Sequence, residues 1–222
     1  MAKLFIVATP IGNLEDITLR ALRVLKEADL ILAENTNKAR ILLNKYGIKN
    51  NPIKYEQHSL PKLLNTIISA LQSDKNIALI SEAGTPGISD PGNELIEAVL
   101  EKAEIIPIPG PSSVSAAASV AGIPMQKFLF LGFVPKKSQN KFFNELLESK
   151  NPVIFFETTY RIIKTIEKLK EICSDCHLIV LRELTKQFET IYRGKPEEII
   201  KQLKETSVKG EFVIVFKKEY GK

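Results

Sequence analysis

Residues 77–92 read Ile-Ala-Leu-Ile-Ser-Glu-Ala-Gly-Thr-Pro-Gly-Ile-Ser-Asp-Pro-Gly. The four apolar residues at the start predict a buried strand, and two Pro-Gly pairs five residues apart stiffen the segment that follows. Connections in α/β proteins usually need about 2–6 residues, and this one is longer. We therefore expect residues Ser81–Gly92, called the Pro-Gly loop, to present backbone groups to a ligand; a purely structural turn is the alternative.

Two further loops are predicted at the same edge of a sheet. Short apolar runs at Leu4–Ala8, Leu30–Ala33 and Ile105–Pro107 alternate with helical patterns, which indicates a parallel sheet covered by helices on both faces. Ligands of such sheets bind beyond the carboxyl ends of the strands. The other candidate loops are an N-terminal loop (Thr9–Asn13) and a Pro-Ser loop (Pro109–Ser113).

Helix caps are predicted beside two of these loops. Asp90 fits the N-cap, and Pro91 the first position, of a helix over Pro91–Lys102. Asp16 fits the N-cap of the helix that follows the N-terminal loop.

The sequence after Pro111 predicts a second α/β region. Its predicted strands are Phe128–Phe133, Val153–Phe156, His177–Leu181, Thr190–Tyr192 and Phe212–Phe216. Some of these strands follow each other without an intervening helix, so this sheet should be mixed. We expect an α/β chain of two domains, residues 1–113 and 114–222, with a parallel sheet in the first and a mixed sheet in the second.

The net charge of +5 is unevenly distributed along the 222 residues. Residues 1–113 contain 12 Lys and Arg against 13 Asp and Glu, a net charge of −1. Residues 114–222 contain 19 against 13, a net charge of +6. The excess suggests an anionic partner for the second half, although lysine-rich solvated faces are also common.

Several classes of protein are excluded by the sequence. No run of about 18 apolar residues predicts a membrane span. The apolar start could pass for a signal sequence, but Glu15 and Asp16 stand where a cleavage site is expected, so a cytoplasmic protein is predicted. The dinucleotide-binding, P-loop, nucleophile-elbow and HExxH motifs are absent.

Residues Cys173-Ser-Asp-Cys176-His177 match the CxxCH pattern of haem attachment and half of a zinc site. Haem attachment requires export, and a zinc site requires further ligands, whereas the only other histidine is the distant His58. We expect the two cysteines to be structural and no metal to be bound.

The loops taken together resemble the tetrapyrrole-methylase superfamily of S-adenosylmethionine-dependent enzymes. The strings that carry the resemblance are Val7–Ala21, Ser81–Gly92, Pro107–Ser112, Phe128–Phe133, Arg182–Lys186, Tyr192–Gly194 and Lys209–Val213. The similarity is greatest to the branch that methylates the ribose 2′-hydroxyl of a cytidine in small-subunit (16S) ribosomal RNA. It implies S-adenosylmethionine in a cleft between two α/β domains, commonly within a homodimer.

The resemblance also implies which residues contact the cofactor. In the first domain they are Pro10, Gly84, Thr85, Ile88, Ser112 and Ser113. In the second domain they are Phe155 or Phe156, the backbone around Leu184 and the stretch near Phe212.

One motif departs from the pattern of the superfamily. Relatives usually have Glu-Asp-Thr-Arg where this chain has Glu34-Asn35-Thr36-Asn37, so an acid and a base are replaced by amides. Methyl transfer to a hydroxyl requires in-line placement and a proton acceptor. Glu34 is the candidate base, and Lys186 is the candidate charge stabiliser or phosphate contact.

The basic second domain is expected to hold the phosphates of the RNA or the 30S subunit. The candidate contacts are Lys136, Lys137, Lys141 and Arg193. Two alternatives remain open at this point: the same fold and cofactor acting on a small tetrapyrrole-like molecule, and a non-catalytic RNA-binding assembly factor.

Overall fold

The computed structural model describes residues 1–56 and 60–218. The chain forms two compact units, Met1–Ser112 and Ser113–Lys222. Each unit contains one five-stranded sheet with its own apolar core.

The sheet of the first unit is entirely parallel, with the strand order β3-β2-β4-β1-β5. Its strands are β1 (Lys3–Val7), β2 (Leu30–Ala33), β3 (Ile53–Lys54), β4 (Ile77–Ile80) and β5 (Glu104–Ile108). Strands β2 and β4 have their predicted bounds, whereas β3, which has only two residues, was not predicted. The predicted parallel sheet is confirmed.

Helices cover both faces of this sheet. They are α1 (Leu19–Glu27), α2 (Thr36–Lys45), α3 (Leu60–Gln72) and α4 (Asn93–Val99). Apolar residues of α1 and α2 pack on one face, and those of α3 and α4 pack on the other. Because every strand is buried from both sides, the strands are continuously apolar rather than alternating.

Both predicted caps in the first unit are wrong. Asp16 lies in a 3-10 turn over Leu14–Asp16, and the cap of α1 is Thr18, whose hydroxyl accepts a hydrogen bond from the Ala21 amide at 3.0 Å. The helix predicted at Pro91 starts later, at Asn93, after Gly92 with a φ of +147°. This conformation favours glycine, so the chain enters α4 from the loop without a side-chain cap.

The sheet of the second unit is mixed, as predicted, with the order β6-β7-β10-β8-β9. Its strands are β6 (Leu129–Phe133), β7 (Val153–Thr158), β8 (His177–Arg182), β9 (Thr190–Gly194) and β10 (Glu211–Lys217). Strands β6 and β7 are parallel, and the other neighbouring pairs are antiparallel.

The two faces of the second sheet are covered differently. Its helices are α5 (Ser113–Val120), α6 (Gln139–Glu148), α7 (Ile162–Ile172) and α8 (Pro196–Glu205). The larger core lies between one face and α6, α7 and α8, whereas α5 packs on the opposite face. Since side chains alternate along a strand, neighbouring residues of β7 belong to different cores.

Candidate active site

The carboxyl edge of the parallel sheet joins the N-terminal loop to the Pro-Gly loop. Thr9 and Gly84 form an isolated antiparallel bridge: the Thr9 amide donates to the Gly84 carbonyl at 2.8 Å, and the Gly84 amide donates to the Thr9 carbonyl at 3.0 Å. The hydroxyl of Thr85 donates to the Pro111 carbonyl at 3.2 Å. These hydrogen bonds join all three predicted loops, which follow β1, β4 and β5 at the same edge of the sheet.

Gly84 lies where the three loops approach one another most closely. Its φ is +84°, and a Cβ added there would lie 3.3 Å from Cγ2 of Ile11 and 3.7 Å from the Pro111 carbonyl oxygen. Gly110 is similarly tight, because its Cβ would lie 3.0 Å from Cβ of Ala8. Glycine at these two positions lets the loops lie close together, and a larger residue would push them apart.

The predicted cofactor residues of the first unit lie in these loops but differ in exposure. Pro10 is buried, Thr85 and Ser112 are half-buried, and Ile88 is an exposed apolar side chain at the edge of the Pro-Gly loop. Ser113 is the first residue of α5 and therefore belongs to the second unit.

Carboxylates that follow β2 and β4 meet beside the Pro-Gly loop. The amide of Glu82 donates to Oε2 of Glu34 at 3.0 Å. Asn35 donates to the Glu82 carboxylate at 3.1 Å, and Lys38 forms an ion pair with that carboxylate. Neighbouring parallel strands bring these side chains together, since β2 pairs directly with β4.

Asp90 is the residue of this edge that the sequence analysis interpreted only as a cap. Burial raises the pKa of Asp90 to about 6; the hydrogen bond with Ser81 opposes this shift, and the charges of Glu34 and Glu82 add to it. Its carboxyl group therefore changes charge close to neutral pH. The sequence signal was the presence of three carboxylates after two apolar runs, but the adjacency of β2 and β4 was needed to interpret it.

The Asn35 substitution has a structural role. The Asn35 side-chain oxygen accepts hydrogen bonds from the amides of Asn37 and Lys38, both at 3.2 Å, and so caps α2. Asparagine is among the preferred N-cap residues, so the amide at this position stabilises the helix. The departure from the usual motif is therefore compatible with an intact site.

The two phenylalanines predicted near a cofactor differ in burial. The Phe155 side chain is 0% exposed and packs in the larger core, with its ring centroid 5.5 Å from that of Phe142. Phe156 lies on the opposite face, half-buried between Phe130 and Phe133. The ring of Phe155 is therefore closed to a ligand, whereas that of Phe156 is partly accessible.

The side chain of Phe212 is also buried. Its side chain is 2% exposed within the larger core, and its strand pairs with neighbours on both sides. The Phe212 ring thus stabilises the sheet. Leu184 is half-buried on the other face, between Glu183 and Thr185, whose φ values are +52° and +65°.

Lys186 is held between two carboxylates. Its Nζ donates to Glu183 Oε1 at 3.0 Å and to Glu211 Oε2 at 2.8 Å. Burial alone lowers the pKa of Lys186, but the hydrogen bonds to Glu211 and Glu183 and their charges outweigh burial and hold this pKa above its usual value. A lysine held in this way carries positive charge, which suits the role of charge stabiliser better than that of proton acceptor.

The candidate RNA contacts fall into two separate places. Lys136 and Lys137 lie exposed after β6, and Lys141 is exposed in the first turn of α6. Arg193 lies on β9, at the opposite edge of the sheet, and donates to the Val120 carbonyl at 2.6 Å. Four strand spacings of about 4.8 Å separate the two edges, so Arg193 is not part of the lysine group.

The CxxCH segment lies between the end of α7 and the start of β8. Cys176 is 0% exposed in the larger core, and burial raises the pKa of its thiol. In the described ranges, 1–56 and 60–218, no group of three or more His, Cys, Asp and Glu side chains could hold a metal. His58 lies outside those ranges. No helix of the described chain is long and apolar enough to cross a bilayer.

Comparison with known folds agrees with this architecture. The chain resembles the crystal structure of diphthine synthase with a TM-score of 0.75, 14% identity and coverage of 96% of this chain and 89% of that one. It also resembles uroporphyrin-III-C-methyltransferase from Thermus thermophilus with a TM-score of 0.67, 18% identity and coverage of 97% and 94%. These similarities define the class of fold, a two-unit α/β methylase fold.

Comparison with sequence families then gives the family. The model for Tetrapyrrole (Corrin/Porphyrin) Methylases matches residues 3–200, and the chain belongs to this family. Ribosomal RNA small subunit methyltransferase I of Thermotoga maritima is 41% identical over 217 residues, covering 97% of this chain and 98% of that relative. The protein of the same name from Bacillus subtilis is 38% identical, covering 97% and 75%. The resemblance seen in the motifs is confirmed.

Proposed function

We propose that the protein transfers a methyl group from S-adenosylmethionine to the ribose 2′-hydroxyl of a cytidine in small-subunit ribosomal RNA. The observation that carries this proposal is the identity of about 40%, over nearly the whole chain, to relatives named Ribosomal RNA small subunit methyltransferase I. The tied loops of the first unit and the basic second half agree with it.

The residues at the carboxyl edge fit S-adenosylmethionine. Its adenine is a flat aromatic ring with hydrogen-bonding groups on its edge, and its sulfonium carries a positive charge. Ile88 offers exposed apolar surface, the rigid loops offer backbone groups, and Glu34, Glu82 and Asp90 provide negative charge. When bound, the cofactor supplies an electrophilic methyl group.

Glu34 is the proposed proton acceptor. It follows β2 at the edge where the loops converge, and its Oε2 is fixed by the Glu82 amide at 3.0 Å. A carboxylate held in this way retains a second oxygen, Oε1, that could accept a proton from a bound hydroxyl. Lys186, in contrast, is proposed to supply only positive charge.

The exposed lysines after β6 are proposed to contact the phosphates of the RNA. Among the described residues, Lys136, Lys137 and Lys141 form no ion pair. Their charge therefore remains available to an anion. Arg193 would make a separate contact from β9. We further propose a homodimer, which light scattering of the purified protein tests.

Transfer of labelled methyl to 30S subunits that lack the modification tests the function. We expect incorporation into the RNA at a single cytidine, resistant to alkaline hydrolysis because the 2′-hydroxyl is blocked. Transfer to a tetrapyrrole but not to 30S subunits would favour the small-molecule alternative. An assembly factor would instead bind RNA but show no heat of binding with S-adenosylmethionine in calorimetry.

A further inference from the structure

Tyr160 is an exposed aromatic side chain that the fold does not explain. It lies in the turn between β7 and α7, and its side chain is 92% exposed. A ring in this position buries no apolar surface and forms no hydrogen bond within the described chain. Tyrosine is enriched at binding surfaces, where its ring packs against a partner and its hydroxyl stays hydrated.

The backbone on both sides of Tyr160 is fixed. Thr159 donates through its hydroxyl to the Gly210 carbonyl at 2.6 Å and accepts from the Gly210 amide at 2.8 Å. Arg161 pairs with the fully buried Glu157 carboxylate at 2.9 Å, and Thr165 donates to the same carboxylate at 2.7 Å. The turn is thus rigid although the ring is in solvent, an arrangement that lowers the entropic cost of binding.

The same arginine joins this turn to the lysine loop. Arg161 donates to the Val134 carbonyl at 2.7 Å, and the Val134 amide donates to Phe156 of β7 at 3.3 Å. Lys136 and Lys137 follow Val134 by two and three residues. Because β6 and β7 are parallel neighbours about 4.8 Å apart, both loops leave the same edge of the sheet side by side.

A third lysine extends the positive charge around the ring. Lys164 is exposed in the first turn of α7, four residues after Tyr160. Within the described chain it forms no ion pair, like Lys136 and Lys137. Further along the same helix, Lys168 and Lys170 are neutralised by Glu171 and Glu197. Lys136, Lys137 and Lys164 therefore keep their charge, whereas Lys168 and Lys170 do not.

We propose that Tyr160 stacks on an unpaired base of the RNA substrate while Lys136, Lys137 and Lys164 hold the adjoining phosphates. A rigid exposed ring beside free cations is the combination that binds single-stranded nucleic acid, because each base has a flat face and each nucleotide a phosphate. A double helix would leave the ring without a partner, since its bases are already stacked. The inference rests on the proposed function, in that it takes RNA as the substrate.

The first test measures affinity for a cytidine-containing single-stranded RNA of about ten nucleotides. Loss of one stacked base predicts a Kd about 5- to 150-fold higher for Tyr160→Ala, with the slope of log K against log salt unchanged because the ring is uncharged. Tyr160→Phe should retain affinity near wild type. Lys164→Ala should instead reduce the salt slope by about 0.7.

The second test uses the absence of tryptophan from the chain. Tyr160→Trp introduces a single tryptophan whose emission should be quenched by the single-stranded RNA and much less by the matching duplex. Phe188→Trp is the matched control, because Phe188 is 65% exposed in another turn of the second unit, where its carbonyl accepts a hydrogen bond from the Arg182 guanidinium at 3.1 Å and Glu189 is its neighbour. Equal quenching in the two variants would overturn the inference.

Different experimental results would contradict base stacking by Tyr160 and the proposed methyl transfer. If wild-type protein methylates 30S subunits, but Tyr160→Ala has the same RNA affinity and the same KM, stacking is wrong and the function stands. If wild-type protein transfers no methyl but Tyr160→Ala loses RNA affinity, the function is wrong and stacking stands. An unchanged thermal unfolding midpoint for Tyr160→Ala excludes misfolding as the cause.

Discussion

Thr9 and Gly84, 75 residues apart, exchange two backbone hydrogen bonds at the carboxyl edge of the parallel sheet. This bridge joins the loop after β1 to the loop after β4. The two strands are parallel, whereas the bridge between their loops is antiparallel. It holds in place the loops to which the cofactor is assigned. The geometry depends on Gly84, since its φ of +84° disfavours any residue with a Cβ.

Gly84→Ala should therefore destabilise the protein by about 1–2 kcal/mol through its φ, and by more through the contact of the new Cβ with Ile11 at 3.3 Å, which should also weaken S-adenosylmethionine binding. Gly122→Ala is a matched control, because Gly122 has a φ of +72° but nothing within 4 Å of an added Cβ. Urea unfolding and calorimetry with the cofactor measure the two effects. If both variants lose equal stability and bind the cofactor equally, the approach to Ile11 is unimportant.

Asp90 should make stability depend on pH. Its pKa of about 6 in the folded chain exceeds the ordinary 3.8, so the folded state binds the proton more tightly and stability falls as pH rises through this interval. Asp90→Asn should raise the free energy of unfolding at pH 7.5 by about 1 kcal/mol, after allowing for solvent screening of a partly exposed group, and change it little at pH 4.

Urea unfolding at the two pH values measures this difference. Asp16→Asn serves as the control, since Asp16 is exposed in the 3-10 turn. Glu34→Gln should also lower the pKa of Asp90 by removing a neighbouring charge, which NMR titration of the carboxyl carbons detects. An Asp90 pKa that does not respond to Glu34→Gln would contradict the proposed electrostatic contact.

Removal of the buried Glu157 carboxylate should be costly. Glu157→Ala deprives Arg161 and Thr165 of their partner and should lower the free energy of unfolding by about 3 kcal/mol. Glu171→Ala, which breaks the exposed pair with Lys168, should cost less than about 1 kcal/mol. Denaturant unfolding compares the two variants, and similar losses would mean that the buried pair contributes little.

Charge reversal in the loop after β6 should weaken RNA binding without affecting the cofactor. Lys136→Glu combined with Lys137→Glu should reduce the salt slope by at least about 1.4, the value for two lost phosphate contacts. Lys201→Glu is the control, because Lys201 lies on α8 and already faces Glu205 at 3.9 Å. A salt slope equal to that of wild type in the double variant would rule out these phosphate contacts.

The two cysteines should differ in reactivity. Cys176 is completely buried, and burial raises the pKa of its thiol, whereas Cys173 is partly exposed at the end of α7. A thiol reagent should modify Cys173 first in the native protein and both cysteines after denaturation. Mass spectrometry of the labelled peptides identifies the modified residue. Rapid labelling of Cys176 would show that this part of the core opens readily.

The elements of the fold were largely predictable because the strands are short apolar runs with clear boundaries. Leu30–Ala33 and Ile77–Ile80 were placed at their observed bounds. Strand β3 could not be predicted, since two residues show no periodicity and its existence depends on pairing with Leu32 and Ala33.

The site was only partly predictable, because local sequence patterns do not reveal the order of strands in a sheet. The adjacency of β2 and β4 brings Glu34 to Glu82. Burial raises the pKa of Asp90 and these two charges add to the shift, whereas the sequence predicted only a helix cap at Asp90. Alternation along β7 predicts that Phe155 and Phe156 face opposite ways. Which face is buried under three helices depends on tertiary packing.

The position of β10 also determines when each unit can fold during synthesis. This strand lies between β7 and β8 at the middle of the second sheet, although it follows both in the chain. The strands of the first sheet all precede Pro109, so that unit can fold while translation continues. Until Glu211–Lys217 leaves the ribosome, β7 and β8 have no common neighbour and their apolar faces stay open. A nascent chain halted after α8 would therefore carry a finished first unit and an unfinished, aggregation-prone second one.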